Sequence, residues 1–224
     1  MNKNVKIIIT FIIFITLINI VFFFLSYGNP FEKKIFKDQV EQYLKEKYIE
    51  EMVVTNVEYS FKTYQYSAKV NLVQNPQIKF KVDKLKEANF EDNYISAVWS
   101  YQVGKDISDF ANNIINVNNC EGSIMFTENM DFYQEYKAQN QVPEFLSVRN
   151  KITTGIYSFV KIPYDFQKNE QIYCRKMYEI MKYIFDRYQF KEIRFDFINN
   201  IYFIIRFDEY ELITDANELL KYRQ

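Results

Sequence analysis

The chain has 224 residues, of which 48% are hydrophobic, and 28 basic and 29 acidic residues give it a net charge of −1. The hydrophobic content excludes an intrinsically disordered chain, and the balanced charge argues against a nucleic-acid partner, which would require a basic face. Histidine is absent, which removes the commonest general base and the commonest metal ligand.

A long apolar segment opens the chain. Ile7–Leu25 carries no charged side chain, and Gly28 and Pro30 follow it as residues that end a helix. A helix of this length reaches about 28 Å, close to the roughly 30 Å of bilayer hydrocarbon. We therefore predict a membrane-spanning anchor over residues 7–27, preceded by a cytoplasmic tail over residues 1–6.

The same pattern is also found in secretory signal peptides. Ser26 and Gly28 form a small-x-small cleavage pattern, but the apolar run exceeds the roughly 7–15 residues of a signal core. We therefore favour an uncleaved anchor. Positive charges near the two helix ends are almost balanced, at Lys3 and Lys6 before the helix and at Lys33, Lys34 and Lys37 after it. Because long following domains translocate largely regardless of charge, we predict that the bulk of the chain is extracytoplasmic.

The apolar pattern over residues 31–117 predicts a first α+β domain. It begins with an amphipathic helix over Phe31–Tyr48. Three strand-like runs follow, at Val53–Phe61, Tyr64–Val73 and Gln77–Val82. A long helix then starts from a cap at Asp92 or Asn93, and Gly104 predicts a kink within it. The predicted order is helix, three-stranded antiparallel meander, helix.

Residues 118–150 predict a connecting segment. It contains a short strand at Ile124–Thr127 and short helices at Met130–Lys137 and Pro143–Arg149.

The apolar pattern over residues 151–224 predicts a second α+β domain. Its strand Ile156–Ile162 precedes a helix that Asn169 caps and that runs to Tyr188. A hairpin follows, formed by Lys191–Ile198 and Ile201–Phe207. The last predicted elements are a short strand at Glu209–Ile213 and a helix from Thr214 or Asp215. The predicted fold class is thus α+β, with a transmembrane helix followed by two small domains that contain antiparallel sheets.

Several stretches of the first domain resemble YfjL-like proteins. They are Gly28-Asn29-Pro30, Glu32-Lys33-Lys34, Tyr43–Tyr48 and the run VEYSFKTYQYSAKV of Val57–Val70. That family is one of small membrane-anchored proteins of Bacillus-type bacteria. The resemblance is best over residues 28–100, and it implies location and architecture without an established activity. Tyr64-Gln65 departs from the pattern, because a glycine-bearing turn is natural at that point.

Paired carboxylates are the main candidates for chemistry in this chain. They are Asp165, Asp196, Asp208, Glu209 and Glu211. However, Arg194 and Asp196 alternate with apolar residues along one strand, as Arg206 does along the next, so an exposed cross-strand charge ladder explains them without catalysis. We therefore assign no catalytic residue.

The two cysteines, Cys120 and Cys174, have two interpretations. In an exported chain they would be able to form one disulfide, and otherwise they are unpaired buried thiols. Cys174 lies before Arg175 and Lys176, which would lower a thiol pKa, but the chain has no histidine to act as its base. No close ligand pair predicts a metal site, and no motif predicts a cofactor.

The sequence therefore predicts a single-pass membrane-anchored, extracytoplasmic protein. We expect a non-enzymatic binding or interaction module at the cell envelope. Its expected partners are the lipid bilayer, through residues 7–27, and a protein or envelope component whose binding residues the sequence leaves unassigned. The alternatives are an envelope enzyme that uses surface carboxylates and a cytoplasm-facing membrane regulator.

Overall fold

Residues 3–85, 89–126, 142–149 and 155–224 are described by a computed structural model of the chain. The chain divides into two units, Met1–Tyr94 and Ile95–Gln224. Within the described residues, each unit combines helices with a four-stranded sheet. The predicted α+β fold class is therefore confirmed.

The apolar segment forms one helix, α1, over Lys3–Tyr27. The large apolar side chains from Ile9 to Leu25 are all exposed, so no core formed by the described residues covers this part of the helix. Two of its polar side chains bond to their own helix, because Thr16 Oγ1 donates to the Ile12 carbonyl and Asn19 Nδ2 to the Ile15 carbonyl, each at 2.8 Å. By length and composition α1 is able to cross a membrane.

Helix α2 spans Pro30–Lys47 and begins at a defined cap. The Asn29 side chain accepts the Phe31 backbone N–H at 2.9 Å, and Pro30 occupies the first helical position, where no N–H is needed. The buried side chains Phe36, Val40 and Leu44 recur every four residues and form the inner face of α2. The predicted helix at Phe31–Tyr48 is confirmed.

The first sheet has the strand order β1-β2-β3-β4, with every neighbouring pair antiparallel. The strands are β1 (Met52–Ser60), β2 (Gln65–Leu72), β3 (Lys79–Lys84) and β4 (Phe90–Asp92). Alternate side chains are buried, including Ala68 and Val70 on β2 and Phe80 and Val82 on β3. The three predicted strands are confirmed. Strand β4 was not predicted, because three residues are too few to show a period.

Helix α3 spans Tyr94–Ile115 without interruption, and the kink predicted at Gly104 stays a prediction. Six buried residues of α3 belong to the core of the second unit, and they are Ile95, Trp99, Val103, Ile107, Ala111 and Ile115. The division between the units falls after Tyr94, whereas the sequence predicted a first domain that ends at residue 117. Periodicity revealed the helix but not which sheet its apolar face covers.

The second sheet has the order β5-β6-β7-β8. Its strands are β5 (Glu121–Phe126), β6 (Ile156–Ile162), β7 (Glu192–Phe197) and β8 (Tyr202–Arg206). Strand β6 pairs antiparallel with β5 but parallel with β7, and β7 pairs antiparallel with β8. The sheet is therefore mixed, which corrects the prediction of antiparallel pairing throughout. The parallel pair requires a crossover, and the intervening helix is here numbered α5 (Glu170–Tyr188).

A close approach of two glycines sets the distance between α3 and β5. A Cβ atom on Gly104 would lie 2.8 Å from the Gly122 carbonyl oxygen, and one on Gly122 would lie 2.6 Å from Ile107 Cγ2. The Ser108 hydroxyl donates to the Gly104 carbonyl and accepts the Gly122 N–H, both at 2.7 Å. Gly104 therefore permits close packing of helix on strand.

The shorter elements of the second unit complete the chain. They are α4 (Phe145–Val148), α6 (Phe207–Tyr210) and 3₁₀ helices at Phe166–Lys168 and Ala216–Tyr222. The strand predicted at Glu209–Ile213 is wrong, because Glu209 accepts the Arg206 N–H at 2.9 Å and closes a helical turn. Asp215 caps the last element by accepting the Asn217 N–H at 2.7 Å. The helix predicted at Met130–Lys137 lies outside the described residues.

Candidate functional site

The carboxylates that the sequence suggested make local contacts. Asp165 caps a 3₁₀ turn by accepting the Gln167 N–H at 3.1 Å, and Asp196 accepts Arg194 Nε at 2.6 Å. Asp208 and Glu209 lie in α6, and Glu211 follows it. These bonds are turn caps and a surface ion pair.

Both cysteines are buried and unpaired in the part of the chain that the structure describes. Burial raises the pKa of Cys120 to about 11 and that of Cys174 to about 11. The thiols are therefore protonated at neutral pH, which disfavours a nucleophilic role. Among the described residues, no group of three or more cysteine or acidic side chains is arranged to hold a metal ion.

A surface cleft in the second unit contains a group of interacting polar side chains. It lies among α3, α4 and α5 and has a volume of about 550 Å³ including its mouth. Its lining residues are Gln102, Val103, Asp106, Glu144, Phe145, Leu146, Arg187 and Tyr188. We call it the Asp106 cleft. An apolar floor with a few convergent polar groups is the usual composition of a binding site.

Asp106 is the centre of the polar side of this cleft. Its Oδ2 atom accepts the Tyr183 hydroxyl at 2.5 Å and also the Tyr188 hydroxyl, and Arg187 Nε lies 3.4 Å from it. The Tyr183 ring stacks on Phe110, with centroids 3.8 Å apart. Burial and the bond to Asp106 raise the pKa of Tyr183 to about 12, so this hydroxyl stays a donor at neutral pH.

The segment that carries α4 forms the opposite wall of the Asp106 cleft and is held on α3. Trp99 Nε1 donates to the Pro143 carbonyl at 2.7 Å, and the Phe145 ring packs edge-on against Trp99 with centroids 5.8 Å apart. Phe145 is buried, whereas Glu144 and Leu146 are exposed at the mouth. The mouth thus combines an acidic and an apolar side chain.

A similar group of side chains lies in the first unit, around a carboxylate that is more deeply buried. Asp92 Oδ2 accepts the Tyr43 hydroxyl at 2.5 Å and Lys47 Nζ at 2.6 Å, and Asp92 Oδ1 accepts the Tyr48 hydroxyl at 2.8 Å. Burial acts to raise the pKa of Asp92, but the bonds from Lys47 and Tyr43 outweigh it and hold that pKa below its usual value. We call this group the Asp92 cluster. It connects α2 to β4.

The junction between α1 and α2 is the third notable site. Gly28 has φ +76°, and its N–H donates to the Phe24 carbonyl at 2.9 Å, which caps α1. The Asn29 N–H donates to the Tyr66 hydroxyl, which in turn donates to Glu32, each at 2.9 Å. A Cβ atom on Gly28 would lie 2.8 Å from Tyr59 Cγ. The junction therefore requires glycine and is held against β1 and β2.

Sequence reasoning did not single out Asp106, Arg187 or their tyrosine partners. One signal was available, because Tyr183 and Arg187 are four residues apart on α5 and Tyr188 follows directly. That spacing places Tyr183 and Arg187 on neighbouring positions of one helix face, whereas Tyr188 lies about 100° around the helix from Arg187. The sequence gives no indication that Asp106 on α3 would meet them.

Comparison with known proteins bears on the first unit. Residues 1–97 match the family described as the YfjL-like, N-terminal domain. We call the N-terminal unit the YfjL-like domain after this match. The predicted resemblance is thereby confirmed, and the match ends close to Tyr94, where the structure divides the chain. The Asp92 cluster and the junction lie in the YfjL-like domain, whereas the Asp106 cleft lies beyond the matched residues.

The chain is similar to the crystal structure of a DUF5037 family protein from Ruminococcus gnavus ATCC 29149, with 15% sequence identity and a TM-score of 0.42. The match covers 79% of this chain and 78% of the chain of that protein. No curated protein matches the sequence.

Proposed function

We propose that the chain is a single-pass membrane-anchored protein whose bulk is extracytoplasmic and acts as a non-enzymatic binding module at the cell envelope. The observation that supports it best is the junction at Gly28, where the apolar helix is capped and held against the YfjL-like domain. Cleavage after Gly28 would remove the residue that caps α1 and packs on Tyr59. The junction therefore favours a retained anchor over a cleaved signal peptide.

The proposed binding surface is the Asp106 cleft. The carboxylates of Asp106 and Glu144 outnumber the guanidinium of Arg187, and Leu146 adds an exposed apolar contact. This composition favours a protein or wall component that presents a basic group beside an apolar one. The polar groups orient such a partner, and no bond-making step is required.

Photo-crosslinking in intact envelopes tests this proposal. A photoreactive residue at Leu146 lies in the cleft, whereas the same residue at Leu212 is exposed elsewhere in the second unit and serves as the control. We expect a discrete adduct from position 146 that disappears when Asp106→Asn is added, and no such adduct from position 212. Equal adducts from both positions, or none from position 146, would contradict the assignment of the cleft.

A further inference from the structure

The turn between β1 and β2 exposes aromatic side chains in an unusual conformation. Phe61 and Tyr64 are both exposed, with ring centroids 5.7 Å apart, and Tyr64 is 65% accessible. Tyr64 also has φ +54°, a conformation that suits glycine and strains a bulky residue. An exposed aromatic side chain that gains little packing at a strained position suggests a role outside the folded domain.

The position of this turn identifies the surroundings of Tyr64. Tyr64 lines a surface cleft together with Phe24 and Gly28, so the turn lies beside the last turns of α1. Phe24 belongs to the apolar run that is long enough to cross a membrane. If α1 spans a bilayer, the β1–β2 turn is therefore at the level of the lipid headgroups.

Other exposed apolar side chains occur at the same end of the domain. Phe31 is 76% accessible, and Tyr27 and Ile35 are exposed as well. Phe31 and Ile35 are four residues apart and share one face of α2. Residues 27–37 and 61–64 together contain the lysines Lys33, Lys34, Lys37 and Lys62 against one acidic residue, Glu32.

We propose that these residues form an interfacial surface that binds the headgroup region of the bilayer that α1 crosses. The interfacial surface is defined by Tyr27, Phe31, Ile35, Phe61 and Tyr64. Tyrosine is favoured at this depth because its ring is apolar and its hydroxyl is polar, and lysines are attracted to anionic phospholipids. The proposal rests on the anchoring proposed above and adds a second, lateral contact. It fixes the orientation of the YfjL-like domain on the membrane.

Tryptophan fluorescence in vesicles tests the proposal on the full chain. The chain has one native tryptophan, Trp99, which is buried in the second unit, so the unmodified chain supplies the background. Tyr64→Trp reports on the β1–β2 turn. Gln77→Trp is the control, because Gln77 lies in the turn at the other end of β2 and is exposed. Phe14→Trp reports on α1 itself. The vesicles contain phosphatidylglycerol and phosphatidylcholine brominated on their acyl chains.

We expect the bromolipids to quench Phe14→Trp and Tyr64→Trp beyond the background of the unmodified chain, and to leave Gln77→Trp at that background. Quenching of Phe14→Trp combined with equal signals from Tyr64→Trp and Gln77→Trp would overturn the interfacial surface and leave the anchor intact. Absence of quenching in Phe14→Trp would overturn the anchor, and the interfacial surface with it.

Discussion

The Asp92 cluster and the Asp106 cleft contain nearly the same chemical groups in different surroundings. Each centres on one aspartate that accepts two tyrosine hydroxyls and faces one cation, Lys47 in the first case and Arg187 in the second. The Asp92 side chain is 3% exposed, whereas the Asp106 side chain is 36% exposed. Burial is therefore the variable that separates the two groups.

This difference in burial implies different roles. When a buried carboxylate or its partners are removed, the groups that remain cannot replace the lost bonds with bonds to water. The Asp92 cluster is thus a structural connection within the YfjL-like domain. Around Asp106, water is able to replace lost bonds, so the same groups contribute less to stability and remain accessible to a partner.

The largest expected effect follows from removal of the buried carboxylate. Asp92→Ala removes the carboxylate that pairs with Lys47 and accepts two tyrosine hydroxyls, and we expect it to lower the free energy of unfolding of the YfjL-like domain by about 3–5 kcal/mol. The matched control is Asp83→Ala, which removes a 51% exposed carboxylate that faces Lys81 at 3.6 Å and should cost less than about 1 kcal/mol. Hydrogen exchange of the full chain in nanodiscs measures both. Equal losses would show that the cluster has no special structural role.

We expect a smaller loss of stability when the carboxylate of the Asp106 cleft is removed. Asp106→Ala should lower the free energy of unfolding of the second unit by about 1 kcal/mol, because the freed hydroxyls of Tyr183 and Tyr188 regain bonds to water. The same hydrogen-exchange experiment gives the value, with peptides from the YfjL-like domain as an internal control. A loss as large as that of Asp92→Ala would remove the distinction between the two groups.

The smallest effect concerns alkaline pH. The folded chain raises the pKa of Tyr183 from 10.0 to about 12, through burial and the bond to Asp106. The contribution of Tyr183 to the free energy of unfolding is therefore fully present below pH about 10. It is lost as the pH rises towards about 12, because this tyrosine ionises at a lower pH in the unfolded chain than in the folded one. After allowance for solvent screening, we expect a difference of about 1 kcal/mol between the unmodified chain and Tyr183→Phe across this window.

Chemical denaturation at a series of pH values measures this slope. Tyr157→Phe, on a half-buried residue of β6, is the control for the general effect of removing a tyrosine hydroxyl. An identical slope in the unmodified chain and in Tyr183→Phe would contradict the geometry assigned to Asp106.

The sequence predicted the local elements better than their assembly. A long apolar run located α1, periodicity located α2 and α5, and Ile156–Ile162 was predicted with the bounds that the structure has. The parallel pairing of β6 with β7 was missed because a crossover and a hairpin have similar apolar patterns in their strands. The assignment of α3 to the second unit was missed because an apolar face carries no label for the sheet that it covers.

The candidate sites show the same limit. Asp92 was predicted only as a helix cap, a role it does have through the Tyr94 N–H at 3.0 Å, whereas its bonds to Tyr43 and Tyr48 span more than 40 positions of sequence. Asp106 and Tyr188 are likewise far apart in the chain. By contrast, the unusual Tyr64 was visible in the sequence as the residue where a glycine was expected. Its φ of +54° explains that expectation.

We propose that a retained N-terminal anchor holds both units on the extracytoplasmic side of the membrane. Protease treatment of intact protoplasts from a Bacillus-type host, with detection through a C-terminal tag, tests it most directly. We expect that the tag is lost without lysis and that a fragment containing α1 remains bound to the membrane. Survival of the tag until the cells are lysed would place both units in the cytoplasm and contradict the account.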